Sequence, residues 1–537
     1  MKHILTLLAL LFLAATISAQ AVEAVTGYNY YGGDGFNPQG ITVCNNSLFF
    51  YGTTEGDSFY NNLFISDGTG PGTSMVKRIN TGYGYTIGGL TALGNKLIFG
   101  DSYNYTGELW SSDGTPAGTV PVAPVINNKQ FTALNGKLYF AGGDTTGQNT
   151  SNYKDQLWVT DGTTAGTMLV KTINPTGPAG IGGMYAFNGE LFFSATDGVN
   201  GTQLWTSDGT ASGTVLLKMI NSPATVTYIS NYTTFNNKLY FSVNDSIDNV
   251  DLWVSDGTSG GTNRITNYNY GLPGLNPQNF MVFNNKLYFN GADSTGYQQL
   301  WSTDGTAAGT SMVHAERDLA YQLGFAPAYM TIYNGSLYMQ GNDSLHKAQL
   351  WKSDGTPSGT QIVTTYPISF GARLITPLLN KLVFISYDTI VGGSGICVSD
   401  GTAAGSLMYE LPGEYNPDLR FCNGLVPFSN ALYYNASYFT TLDYQVNRVV
   451  LSTAGINEDH AANTLMLYPN PANEYLQIKN DAQIVSVQIS DLSGRVIEPS
   501  LPLTGSKIPV AGLSSGLYII QAIDETGQTY TGKFVKE

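Results

Sequence analysis

One phrase, Leu-Trp-x-Ser/Thr-Asp-Gly-Thr-x-x-Gly-Thr, returns along this chain at steps of 46 to 50 residues, and every tryptophan lies in it, three residues before its Asp. The Asp positions are Asp67, Asp113, Asp161, Asp208, Asp256, Asp304, Asp354 and Asp400. Six copies carry Trp110, Trp158, Trp205, Trp253, Trp301 and Trp351, while the first has Phe64 and the eighth Cys397 in that slot. A phrase recurring at this interval marks one supersecondary unit per copy, and such a unit hides its apolar faces only by stacking on its neighbours. The chain must therefore fold as an array.

A second phrase precedes each Trp phrase: a two-residue turn, then Leu and two mostly aromatic residues, with Leu48, Leu97, Leu138, Leu191, Leu239, Leu287, Leu337, Leu382 and Leu432 in the leading position. Asn135-Gly136, Asn188-Gly189 and Asn334-Gly335 supply the positive φ that a tight hairpin turn demands. Each period then reads as four short strands: one into the turn, one through the aromatics, one through Leu-Trp, and one after Gly-Thr. Four antiparallel strands per period is the blade of a β-propeller. With 63 Gly, 35 Tyr and 12% charged residues, the composition suits short strands and tight turns. Val22 to Asn29 resembles a fourth strand without a preceding Trp phrase, and the ninth hairpin, around Leu432, leads to a third strand over Arg448 to Thr453 with no fourth. Pairing these ends closes a ring of nine blades, or of eight if the last unit is only a cap; an open solenoid is the rival architecture.

The chain opens Met1-Lys2-His3, runs apolar from Ile4 to Ala15 and exits through small residues to Ala19, which predicts a secretory signal over residues 1–19. No segment supplies the run of about 20 apolar residues that a membrane-spanning helix needs. A formal net charge of −15 argues against nucleic acid as a partner. Three cysteines (Cys44, Cys397 and Cys422) make neither a disulfide framework nor a zinc site.

Residues 20–455 are thus expected to form the propeller and residues 456–464 a polar linker. After Leu465 the repeat ends and the chain reads as short strands with Pro, Asn and Gly turns, the pattern of a small Ig-like β-sandwich over 465–537. Several motifs arrive there in order: Tyr468-Pro469-Asn470-Pro471, Asp491-Leu492-Ser493-Gly494-Arg495, Leu513 followed by Gly516-Leu517-Tyr518, and a basic terminus. The set resembles the C-terminal sorting domain of proteins exported by the type IX secretion system of Bacteroidetes. That resemblance implies export through the inner membrane and recognition of this tail by the type IX machinery. Secretion to the medium or attachment to the outer-membrane surface would follow. It places Pro469, Asn470, Pro471, Gly494, Arg495, Gly516 and Tyr518 in recognition or fold-defining roles. The Trp phrase is in turn similar to the Glu-Leu-Trp-x-Ser-Asp-Gly-Thr repeats of secreted bacterial proteins, best in Glu108 to Thr119, and that family carries no activity to transfer.

The chemistry-bearing residues are sparse. His3, His314, His346 and His460 form no pair, and no nucleophile elbow or phosphate loop occurs. The repeated Asp-Gly reads as turn chemistry, the carboxylate capping backbone amides while Gly takes the positive φ. A second series, Asp101, Asp144, Asp197, Asp245, Asp293, Asp343 and Asp388, lies in the variable loops after the aromatic strands. There the expectation is solvated turns, with calcium ligation as the one cofactor alternative. No cofactor is otherwise expected, and no catalytic residue stands out. The functional expectation is a secreted or cell-surface binding, adhesion or scaffolding module taking a glycan or protein ligand. The alternative is an extracellular polysaccharide-processing hydrolase or lyase, which would need an acid pair.

Overall fold

The computed structural model describes residues 21–26, 38–54, 57–79, 86–102, 107–126, 131–144, 154–222, 227–246, 249–267, 274–318, 323–345, 348–364, 370–388, 393–409, 417–418, 422, 424–438, 444–451, 467–468, 472–478, 484–491, 496–502, 507–514, 516–524 and 529–536. The chain divides into two compact units, Gln20–Leu451 and a C-terminal unit containing Ser452–Glu537.

The first unit is a nine-bladed propeller. Blade four shows the plan: Gly182–Phe187, Glu190–Thr196, Thr202–Ser207 and Val215–Lys218 pair in that order, all antiparallel. Asn188 (φ +48°) and Gly189 (φ +81°) turn the first hairpin. The first strands of the blades are Gln39–Cys44, Thr86–Leu93, Phe131–Leu134, Gly182–Phe187, Tyr228–Phe235, Gln278–Phe283, Ala328–Tyr333, Phe370–Leu378 and Val426–Phe428. They approach one another from blade to blade, which makes them the innermost strands around the axis.

Blade nine is completed by the other end of the chain. Ala431–Tyr438 pairs with Tyr444–Val450, and the latter pairs with Ala21–Ala24 in the register Ala21 to Val450 and Ala24 to Asn447. The closing strand therefore stands where other blades carry their own fourth strand, slightly ahead of the Val22 to Asn29 segment expected from the sequence; residues 27–37 lie outside the described set. Likewise the third strand of this blade is Tyr444–Val450 rather than Arg448 to Thr453. Without a Trp phrase to set its frame, the sequence placed it too late.

Between the nine blades lie nine separate apolar clusters, one per seam. Seam three to four gathers Leu134, Tyr139, Leu157, Val159 and Ile173 from one side and Leu191, Phe193, Ala195 and Trp205 from the other. The seam from blade nine to blade one gathers Phe428, Ala431, Tyr433 and Val446 with Leu48, Phe50, Phe64 and Val25 of the closing strand's end. The ring is closed by the same chemistry that joins its interior seams.

The C-terminal unit has a three-stranded sheet (Leu467–Tyr468, Tyr475–Ile478, Lys507–Pro509) and a four-stranded one (Val496–Pro502, Ile484–Asp491, Gly516–Asp524, Thr529–Lys536). Leu476 and Ile508 of the first share one core with Val487, Ile489, Ile520 and Phe534 of the second, as alternation on two facing sheets requires. It is a small β-sandwich.

Candidate functional site

The repeated phrase folds the same way in all eight copies. In blade four the Thr210 amide and hydroxyl both donate to Asp208 Oδ1 (2.8 and 2.7 Å), Gly213 N donates to Thr210 Oγ1 (3.0 Å), and Thr214 Oγ1 donates to the Thr210 carbonyl (2.6 Å). Ser207 Oγ accepts from Gly209 N (3.1 Å) and lies 2.7 Å from Thr214 Oγ1. The Thr-to-Asp pair of bonds recurs at Asp67, Asp113, Asp161, Asp256, Asp304, Asp354 and Asp400. The Thr210 hydroxyl, then its amide, holds the Asp208 carboxyl below the usual carboxylate range. Each carboxylate is thus a turn acceptor on its own blade, and the eight are distributed one per blade instead of converging.

Both glycines of the phrase are dictated sterically. A Cβ on Gly213 would be driven into the Asp208 carboxylate, and one on Gly209 (φ +92°) would strike the phenol of Tyr139 on the preceding blade. Gly213→Ala is therefore expected to destabilise the propeller by about 1–3 kcal/mol, the usual cost of overpacking, read as a lower urea midpoint at unchanged slope.

Contacts across the seams also end on these turns. Tyr288 and Tyr338 donate to the carbonyls of Gly355 and Gly401 on the following blade (3.4 Å each), and Tyr433 donates to Gly68 across the closing seam (3.1 Å). From the outermost strand, Lys77 Nζ reaches Thr119 O (2.7 Å), Lys171 Nζ reaches Thr214 O (2.6 Å) and Lys218 Nζ reaches Ser259 O (3.0 Å). In blade six His314 takes that place. It sits against Phe325 (centroids 4.8 Å) and Trp351 (5.2 Å), with Nε2 3.3 Å from a Glu316 carboxylate oxygen.

Burial pushes the His314 imidazole below its ordinary value, and Glu316 opposes this only in part. Because the folded-state value lies below the unfolded one of about 6.5, this group's contribution to stability is present above that pH and lost as pH falls. The melting temperature is expected to decline from pH 6.5 downward, before carboxylates titrate, and His314→Gln should flatten that decline. An unchanged slope in the variant would contradict this assignment.

The tryptophans stand at the seams. Trp110, Trp205, Trp253, Trp301 and Trp351 are buried, and Trp158 is half-buried. Each faces the second aromatic slot across its hairpin, as Phe99 does Trp110 with centroids 6.2 Å apart; in blade seven Met339 fills that slot opposite Trp351. Just before four of the six Leu-Trp pairs stands a buried Gln, with Glu108 and Asp251 in that place in the other two, and in three of the four the Gln clasps the chain leaving the blade. Gln203 Oε1 accepts from Ile220 N (2.7 Å) while its Nε2 donates to Asn221 O (3.0 Å), and Gln156 and Gln299 do the same.

Two of the loop carboxylates differ from the solvated turns expected of them, while Asp197 and Asp343 are partly exposed turn acceptors. Asp101 and Asp293 are buried. Asp293 accepts from Thr295, Tyr297 and Gln299 and pairs with Arg317 at 2.9 Å. Asp197 accepts from the amides of Val199 and Asn200, and Asp343 from that of Leu345. Burial follows from these bonds, which satisfy the charge locally. The side chains of Asp144, Asp245 and Asp388 lie outside the described set, as does His346. Among the described residues no group of three or more His, Cys, Asp or Glu side chains is placed to hold a metal ion. The nine innermost strands carry no Asp, Glu, His or Lys and one Arg, Arg373.

In the C-terminal unit, Gly516 opens a strand and Tyr518 is buried, its hydroxyl donating to Ser514 O at 2.8 Å and its ring stacked on Phe534. Pro469, Asn470, Pro471, Gly494 and Arg495 lie outside the described residues. Residues 466–537 match the family of secretion system C-terminal sorting domains. The tail is a sorting domain. The protein is accordingly a secreted or surface-attached one, and its sorting domain implies an encounter with the type IX machinery. No helix among the described residues is long and apolar enough to cross a membrane.

No curated protein matches the chain. Among solved structures, a prolyl endopeptidase is 10% identical, with 76% of this chain and 55% of that chain covered and a TM-score of 0.38. The extracellular domain of a one component system from B. thetaiotaomicron is 11% identical, with 95% and 76% covered and a TM-score of 0.32. Oligopeptidase B from Leishmania major is 11% identical, with 75% and 54% covered and a TM-score of 0.37. The chain thus spans about half the length of both peptidases, and a likeness this loose says nothing about activity.

Proposed function

We propose that the propeller is a binding or adhesion module delivered to the cell surface by its sorting tail, and that the Trp phrase is the scaffold repeat of a family of secreted Bacteroidetes proteins. The observation that supports this most is the use of the eight Asp carboxylates. Each accepts two hydrogen bonds from its own Thr, as Asp208 does from Thr210, and among the described residues none is paired with a second acid as glycoside hydrolysis requires. What repeats here is construction, and the loops and the innermost strands vary from blade to blade, which is where a ligand would be chosen.

Two measurements test the reading. Purified mature chain is incubated with polysaccharide-coated and protein-coated beads, and the supernatant is assayed for reducing ends. Retention without release is expected; release would favour the hydrolase reading, and failure to be retained on any coating would remove the binding one. Separately, a chain ending at Asn463 is expected to stay folded yet to accumulate in the periplasm of its host. Normal surface delivery of that truncated chain would contradict the role of the tail.

A further inference from the structure

Seven of the nine innermost strands are broken by a bulge at one register position; those of blades three and nine pair without a shift. The pairing shifts between Gln39 and Thr42, Gly88 and Thr91, Gly182 and Tyr185, Ser230 and Thr233, Gln278 and Met281, Ala328 and Thr331, and Arg373 and Thr376. The residue at the bulge takes a left-handed backbone: Gly40 (φ +65°), Gly89 (+67°), Gly183 (+58°), Asn231 (+55°), Asn279 (+56°), Tyr329 (+52°) and Leu374 (+54°). Gly and Asn suit that conformation, whereas Tyr and Leu are strained in it. Leu374 packs into the core of the next seam, which explains its side chain. Tyr329 is 37% exposed and joins none of the apolar clusters of the seams. Three residues earlier Ala326 is also left-handed (+48°), where blade four uses Gly180 and blade six Asn276.

A strained backbone that holds an exposed aromatic on the innermost strand points to a ligand, because neither packing nor turn geometry calls for the ring. The surrounding wall narrows its chemistry. On blade five Tyr228 is 66% exposed, and Ser230, Asn231 and Thr234 lie exposed further along its strand; on blade six Asn279 is exposed, and both Asn side chains also donate to a proline carbonyl of the next blade. Blades one, two and four present Gly40, Gly89 and Gly183 at the bulge instead. At Gly40 and Gly183 a neighbouring ring, Tyr51 or Tyr232, occupies the space a side chain would need, whereas blades five to seven carry Asn231, Asn279 and Tyr329 at the same position.

We propose that the channel wall of blades five to seven binds a neutral polysaccharide, with Tyr329 and Tyr228 as stacking platforms. This rests on the binding reading above. A sugar ring presents an apolar C–H face for a tyrosine and equatorial hydroxyls for amide and hydroxyl side chains, and it carries no charge to be matched by the acid-free, lysine-free innermost strands. An anionic polymer would meet the field of a chain with formal net charge −15. Tyrosine supplies such contact area at small entropic cost, having few rotatable bonds.

The test is native affinity electrophoresis of the full mature chain in gels containing laminarin, galactomannan or arabinoxylan, with polygalacturonate and an apolar peptide conjugate as comparisons. At least one neutral polysaccharide should retard migration. Tyr329→Gly should weaken that retardation about ten-fold or more while the melting temperature holds or rises, because Gly relaxes the left-handed residue. Tyr228→Ala should weaken it too. Undiminished retardation of both variants would overturn the site. Retardation by polygalacturonate or the peptide alone, or by none of these polymers, would overturn the ligand class. In each case retention on the coated beads would leave the broader binding reading standing, so the two failures are distinguishable.

Discussion

Trp205→Ala is expected to destabilise the propeller by about 3–5 kcal/mol, the cost of emptying a large buried aromatic site. Trp205 is 6% exposed and packs with Tyr139, Leu157 and Ile173 of blade three as well as Phe193 of its own blade. Its removal would open a void at a seam whose two walls are sheets, and sheets do not collapse into a void as a loop would. Hydrogen exchange should locate the loss in blades three and four, with distant seams protected, since each seam has its own apolar cluster. A change below about 1 kcal/mol would mean that the indole is not part of the seam.

Removing residues 20–26 should be at least as damaging, of the order of 5 kcal/mol, because it combines lost apolar burial at Val25 with several lost strand hydrogen bonds. Val25 N donates to Val446 O (2.8 Å), Thr26 Oγ1 accepts from Val446 N (3.0 Å), and both residues are buried. Blade nine would be left with an open edge at Tyr444–Val450, a template for pairing with other molecules. Aggregation on mild heating, measured by light scattering, is the expected outcome. A truncated chain that remains monomeric with an unshifted melting point would show that the ring does not depend on this strand.

The sequence announced the blades because the Trp phrase obeys local rules. Asp208, Gly209 and Thr210 interact within one turn, so their spacing survives in the chain as a motif. Partners separated by tens of residues leave no such trace. Tyr139 meeting Gly209, Lys171 reaching Thr214 and Tyr433 reaching Gly68 across the ring depend on how blades stack, and in the sequence they read as ordinary aromatics and lysines. The bulge was half legible: Gly40, Gly89 and Gly183 stand at one distance before the hairpin turn, but Tyr329 in that slot has meaning only once the left-handed backbone is known. Burial of Asp101 and Asp293 was hidden for a related reason. An acid in a variable loop looks solvated until the amides that satisfy it, and Arg317 beside Asp293, are located.

Closure of the ring has a mechanical side. Any pull transmitted through the tail, or through what remains of it at the cell surface, enters the propeller at Leu451, directly after the strand Tyr444–Val450. That strand is held on both flanks, by Ala431–Tyr438 on one side and Ala21–Ala24 on the other. A load along it must shear two rows of hydrogen bonds at once instead of unzipping one row bond by bond. The point where the chain is tethered is thus the point where it is doubly fastened, and the force that would peel an open-ended array is spread into its first and last blades.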